Sequence, residues 1–178
     1  IIFADTSNHQ RIVVTRWRED IRLYLNGHLQ FSSVDEYRYH EALVHPAMLA
    51  PGPKRRILIL GGGDGLAARE VLSFNEVQDV VLVDLDPKVT NIFRDVPLLS
   101  ELNNQSLSDP RIKVLNVDAM TFLEGQQEPY DVVIIDLPDP SDTHLGKLYS
   151  KSFYSLVQRR LAPEGRIALQ ATSPYRAR

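Results

Sequence analysis

The sequence predicts an α/β fold, a parallel sheet wound with helices on both faces and preceded by a small N-terminal β-hairpin unit. Three observations carry that expectation. Apolar runs at 57–60, 80–83, 112–117 and 132–135, with a weaker fifth at 167–169, read as strands buried on both faces. Helical stretches fall between them, the alternation of βαβ units. Upstream, Asn26-Gly27 separates two alternating segments, with Ile21, Leu23 and Leu25 before it and Leu29 and Phe31 after it. A type I′ hairpin turn needs positive φ at both central positions, and this dipeptide tolerates it.

The elements follow in order. Arg11, Ile12, Val13 and Val14 read as a strand ahead of the hairpin. Residues 33–49 turn helical, with Asp35 as the expected cap and Pro46 as a kink or break. Ala50, Pro51, Gly52 and Pro53 form a punctuated linker. The strand at 57–60 runs into Gly61, Gly62, Gly63, Asp64 and Gly65, and then into a helix at 66–72. Asp86-Pro87 is an N-cap with proline at the first helical position, and Val89, Ile92 and Phe93 share one face of the helix it starts. Ser150 caps a helix striped by Phe153, Leu156, Val157 and Leu161 and ended by Ala162, Pro163, Glu164 and Gly165. The chain divides into a hairpin unit at 1–34 and a ligand-binding domain at 35–178, the latter expected to be incomplete at its C-terminus.

At 178 residues with 43% hydrophobic and 24% charged, the chain carries enough apolar material for one real core. Lys and Arg number 20 against 23 Asp and Glu, so the net charge of −3 disfavours a nucleic-acid partner. The absence of cysteine excludes disulfides, thiolate metal sites and a cysteine nucleophile. No apolar run approaches the ~20 residues of a membrane span. The chain opens on Ile1 rather than Met, as expected of a piece of something longer.

The glycine loop points to a nucleoside ligand. Glycines let a ligand approach the backbone, and Asp84, ending the next strand, is placed to hold ribose hydroxyls. There is no Gly-Lys-Ser/Thr, so this is not a P-loop. The pattern Gly61-x-Gly63-x-Gly65 suits an adenosyl sulfonium, which has no pyrophosphate, better than a dinucleotide. Asp64, Asp84, Asp118 and Asp136 follow four successive strands, and in a parallel sheet those ends share one crevice. Four carboxylates there imply a ligand that is cationic or rich in hydroxyls and amines. Asp136 and Asp139 sit three apart on a loop stiffened by Pro138 and Pro140. No metal is expected, since only His144 lies near them in sequence. His9, His28 and His45 belong to no constellation. Tyr37 and Tyr39 lie on different helix faces, so only one reaches the pocket. Trp17 reads as packing or a subunit contact.

These residues resemble the polyamine aminopropyltransferases, the spermidine synthases and their relatives. Gly61 to Gly65 is similar to the family's glycine motif. Asp35, Glu36, Tyr37, Arg38, Tyr39, His40 and Glu41 resemble its helix-borne motif, and Asp136, Leu137, Pro138, Asp139 and Pro140 its catalytic loop. The resemblance implies a Rossmann-like, class I methyltransferase-like sheet. It implies that an aminopropyl group passes from decarboxylated S-adenosylmethionine, a co-substrate rather than a prosthetic group, to a diamine such as putrescine. Spermidine and methylthioadenosine result. By the same resemblance Gln10 contacts the nucleoside, Gly61, Gly63 and Gly65 cradle it, Asp84 holds the ribose, and Asp118 with Ala119 faces the adenine. Asp64 holds the aminopropyl ammonium, Tyr39, His40 and Asp139 line the amine groove, and Asp136 is the catalytic carboxylate. A cytoplasmic homodimer is implied as well. Residues 141–149 depart from the family's glycine- and proline-rich stretch and are closer to members fused behind membrane helices. That allows a membrane segment outside this chain, with this domain on the cytoplasmic face. Two other readings remain: an S-adenosylmethionine methyltransferase on the same sheet, and a non-catalytic module binding nucleoside or polyamine. Methyltransferases commonly place an acid two residues before the first glycine; here that position is Ile59, and the carboxylate has moved to Asp64.

Overall fold

Four antiparallel strands open the computed structural model, which describes residues 1–125, 128–138 and 146–170. They are β1 (Phe3–Thr6), β2 (Arg11–Trp17), β3 (Asp20–Leu25) and β4 (His28–Ser32), and they pair in chain order. The Asn26-Gly27 turn has φ of 51° and 83°, as the hairpin requires. The unit is larger than a hairpin. β1 pairs Phe3 with Val14, and β2 turns into β3 through Arg18 at φ 56°. One face of this sheet, carrying Ile12, Val14, Ile21, Leu23 and Phe31, is buried.

Helix α1 (Glu36–Leu49) follows. Asp35 occupies its N-cap position, but its side chain makes no cap hydrogen bond, against expectation. Pro46 sits inside the helix, and the helix runs on to Leu49, so it is not broken there. The second sheet is all parallel, in the order β7 (Ile112–Leu115), β6 (Asp79–Val83), β5 (Arg56–Gly61), β8 (Tyr130–Asp136) and β9 (Leu161–Leu169). Its connecting helices are α2 (Leu66–Leu72), α3 (Pro87–Asp95), α4 (Pro97–Leu102), α5 (Ala119–Glu124) and α6 (Lys151–Arg159). Because side chains alternate along a strand, each continuous apolar run feeds two cores. Ile57, Ile59, Val80, Leu82, Val132 and Ile134 pack on one face with α1, α2, α3 and the N-terminal sheet. Leu58, Leu60, Val81, Val83, Val133 and Ile135 pack on the other with Phe122 and Leu123 of α5 and Phe153, Leu156 and Val157 of α6.

Several boundaries differ from expectation. β7 ends at Leu115, and the Asn116 side chain that follows donates to the Asp84 carbonyl and to Thr90 Oγ1. Asp118 is therefore the N-cap of α5, accepting from the Thr121 N–H, rather than a strand end. Leu161, placed by periodicity on the last helix stripe, already pairs with Tyr130 in β9, and residues 162–165 bulge out of that strand before Arg166 rejoins it opposite Val132.

Candidate active site

β5 begins the sheet, and the order then grows in both directions from it, so the crevice lies at the carboxyl ends of β5 and β8. Gly61 and Asp136 are register partners at that point. Gly61 has φ 84°, and a Cβ there would stand 2.0 Å from the Asp136 carbonyl oxygen, so only glycine lets the two strands come this close. At Gly63 a Cβ would meet the Asp84 carboxylate at 2.7 Å; the Gly63 N–H instead donates to Asp84 Oδ2 at 3.0 Å. From behind, the fully buried Asn103 donates to the Asp64 carbonyl at 2.8 Å, and Ser106 Oγ donates to the Gly65 carbonyl at 2.7 Å.

Asp84 also accepts the Asp86 N–H, at 2.9 Å. Burial pushes its carboxyl up to about 6, against the pull of these two amides. Beside it, buried Asp86 accepts from Ser7 Oγ at 2.6 Å and from Gln10 Nε2 at 3.0 Å, which ties the N-terminal sheet to the start of α3. Gln10 thus stands at the rim of the Asp84 side, held by an acid. Asp118 and buried Ala119 open α5, and Lys147 Nζ donates to Asp118 Oδ2 at 2.7 Å. Burial works to raise the Asp118 carboxyl, but Lys147 and the Thr121 N–H outweigh it and lower it.

The other half of the crevice gathers side chains from α1. Tyr39 Oη donates to Asp136 Oδ1 at 2.5 Å and lies 3.1 Å from Gln170 Oε1. Burial, with the Asp64 charge nearby, pushes Asp136 up to about 6; Tyr39 and His40 oppose this. Burial also raises Asp64, whose Oδ1 accepts the Leu66 N–H at 2.9 Å. Tyr39 is raised by burial and by the Asp136 charge, so it stays a neutral donor. His40 is buried edge-on to Tyr39, ring centres 4.9 Å apart, and its Nδ1 lies 2.7 Å from Glu36 Oε2. Arg69 of α2 grips both Glu36 oxygens, at 2.9 and 3.1 Å.

Tyr39, His40, Asp64 and Asp136 therefore meet at one end, and Gly61, Gly63, Gly65 and Asp84 at the centre. Gln10 stands at one margin, and Asp118 with Ala119 at the start of α5. Asp139 lies outside the described residues; Pro138 before it offers its carbonyl to Tyr149 Oη at 2.7 Å. Tyr37 is half exposed, and Tyr39 is the aromatic that reaches Asp136. The sequence assigns no place in the site to Arg69, Asp86, Asn103 or Ser106, and it marks Glu36 only as a member of the helix-borne motif. Asp86 before Pro87 signals a helix cap in the sequence and nothing of its bonds to Ser7 and Gln10. Among the described residues no group of three or more His, Asp or Glu could hold a metal ion, and no helix is long and apolar enough to cross a membrane.

Strand order and crevice place the chain in the class of Rossmann-like, methyltransferase-type folds. The model of the spermine/spermidine synthase domain matches residues 36–177, and the chain belongs to that family. It is 54% identical to polyamine aminopropyltransferase 2 of Ralstonia nicotianae over 98% of this chain and 34% of that protein. It is 51% identical to the polyamine aminopropyltransferase of Leptospira interrogans, over 100% of this chain and 36% of that one. The chain thus spans about a third of the length of the curated relatives it matches. Among solved structures it is similar to a spermidine synthase in complex with the transition-state analogue AdoDATO, at TM-score 0.89 and 30% identity, covering 98% of this chain and 59% of that one. Spermidine synthase from Thermotoga maritima superposes with TM-score 0.86 at 29% identity, over 98% of this chain and 58% of that one.

Proposed function

We propose that this chain is the catalytic core of an enzyme that moves an aminopropyl group from decarboxylated S-adenosylmethionine to a diamine such as putrescine. The observation that carries the reading is the Asp136 carboxylate, raised to about 6, held by Tyr39 and set beside the glycine loop with Asp64 next to it. In this reading the adenosyl group lies along Gly61, Gly63 and Gly65 with its ribose on Asp84 and its base toward Asp118 and Ala119, and Gln10 closes the margin. Asp64 receives the aminopropyl ammonium. Tyr39, His40 and Asp139 line the amine groove. The division at residue 34 separates a supporting sheet from this catalytic body. Trp17, at the far end of β2 and 71% exposed, is the contact we assign to a homodimer.

The chemistry follows from charge. A diamine arrives doubly protonated, since a primary amine has a pKa of about 10.4. The acidic crevice attracts it, but the attacking nitrogen must shed a proton. A carboxyl raised to about 6 is ionised at neutral pH and is a better proton acceptor than an ordinary aspartate. The freed lone pair attacks the methylene carbon beside the sulfonium. The new C–N bond forms as the C–S bond breaks, the electron pair passing to sulfur, and methylthioadenosine leaves. The one proton released is that shed before attack; it rests on Asp136 and then passes to solvent, while the new secondary amine leaves as an ammonium. Holding both substrates in line supplies much of the rate.

The test is incubation of the full-length protein with decarboxylated S-adenosylmethionine and a panel of amines, with product mass as the readout. An amine heavier by one aminopropyl group supports the reading. Binding of both ligands with no product points to a non-catalytic module.

A further inference from the structure

His40 Nδ1 lies 2.7 Å from Glu36 Oε2 and 2.9 Å from the Glu36 carbonyl oxygen. An ionised carboxylate and a carbonyl can only accept, so Nδ1 must carry the hydrogen. Arg69, with two nitrogens on the Glu36 carboxylate, keeps it ionised and fixes its direction. Nε2 has no hydrogen-bond partner among the described residues and is not fully enclosed, and the charges that act on the ring from beyond its own helix are those of Asp64 and Asp136 in the crevice. The titratable groups facing the ring are Glu36 and the neutral Tyr39 on its own helix, Asp64 from the glycine loop and Asp136 from β8, with Arg69 of α2 behind Glu36.

We propose that Glu36, braced by Arg69, is a positioning residue for the amine: it holds the His40 proton on Nδ1 and so aims the Nε2 lone pair into the crevice as an acceptor for the incoming ammonium. The inference rests on the aminopropyl-transfer reading. In the free protein Glu36, Asp64 and Asp136 raise the basicity of His40 against the effect of burial. Once Asp64 and Asp136 pair with cationic substrates, burial and the adjacent cation favour the neutral ring, which accepts. With Glu36 uncharged, the Glu36 backbone carbonyl still accepts from Nδ1, but the charged acceptor that makes this tautomer dominate is gone, and the fraction of rings presenting an Nε2 hydrogen that repels the ammonium rises.

The experiment is calorimetric titration of putrescine into full-length protein loaded with methylthioadenosine, for Glu36→Gln, His40→Gln and the double variant. Glu36→Gln should weaken putrescine about tenfold, the worth of one charge-assisted hydrogen bond, with methylthioadenosine affinity within about twofold. On the His40→Gln background, Glu36→Gln should weaken it no further, because the group it positions is gone. Unchanged putrescine affinity in Glu36→Gln, or a loss that adds fully to that of His40→Gln, overturns the proposal. If Glu36→Gln fails to bind methylthioadenosine, the charge-balanced Glu36→Gln/Arg69→Gln variant is read by the same criteria. Failure of the unaltered protein to form aminopropylated product removes the underlying reading itself. Turnover by the unaltered protein, with Glu36 variants that match it, removes this inference alone.

Discussion

The two halves of the crevice hold acids of similar basicity by different means. Asp84 is fixed by the backbone: the Gly63 and Asp86 amides donate to its two oxygens, and both belong to the loops that the sheet itself positions. Asp136 is fixed by a side chain from another element, the hydroxyl of Tyr39 on α1. Both carboxyls stand at about 6, because burial outweighs their donors. The difference separates a fixed platform from an adjustable site. An acid cradled by amides is suited to binding an invariant nucleoside. An acid held by one phenol, with a like charge beside it, is suited to exchanging a proton.

The harshest way to break this comparison is at the seam between the halves. Gly61→Ala drives a Cβ against the Asp136 carbonyl at a φ of 84°. It should cost about 3 kcal/mol or more of folding stability, measured by denaturant unfolding, and should displace Asp136 with it. Next comes Asp136→Asn in the full-length enzyme. Turnover should fall about 10²–10⁴-fold with amine saturating, while methylthioadenosine binding survives. The same variant should melt higher than the parent at neutral pH. A carboxyl whose folded pKa lies above its unfolded 3.8 binds more protons in the folded state between about 4 and 6. Stability contributed through it therefore falls as pH rises through that window, and the advantage of Asn should vanish near pH 4.

Asp84→Ala tests the platform half. It should weaken methylthioadenosine by about 1.5–3 kcal/mol in calorimetry, with little change in saturated turnover. The smallest effect is expected from Tyr39→Phe. Turnover at neutral pH should drop roughly tenfold, and the acid limb of the rate profile should move to higher pH, because Tyr39 stabilises the ionised Asp136. An acid limb that moved down instead would mean that Tyr39 is not the group holding that charge.

What the sequence revealed follows the same division. The platform is local: strand 57–60, glycines 61–65 and Asp84 lie in one βαβ stretch whose spacing carries its own meaning. Helix 66–72 and the Asp86 cap were legible for the same reason. β1 was not, because Phe3–Thr6 is mostly exposed and carries no apolar alternation. The turn at Arg18 uses no glycine to announce its positive φ. The supports of the amine half join residues far apart in the chain: Glu36 to Arg69, Tyr39 to Asp136, and Asn103 to the Asp64 carbonyl. No periodicity records such pairings. Arg69 and Asn103 are ordinary polar residues in the sequence; the fold partly buries the first and fully buries the second.

The central claim, that this crevice serves an ammonium-ended, decarboxylated donor, is tested most directly by offering the full-length protein both donors at once. Equal amounts of decarboxylated and intact S-adenosylmethionine are supplied with putrescine, and the product masses are read. A carboxylate at Asp64 attracts the terminal ammonium of the first and repels the extra carboxylate of the second. The account predicts spermidine and methylthioadenosine as the products. Methylated putrescine would contradict it.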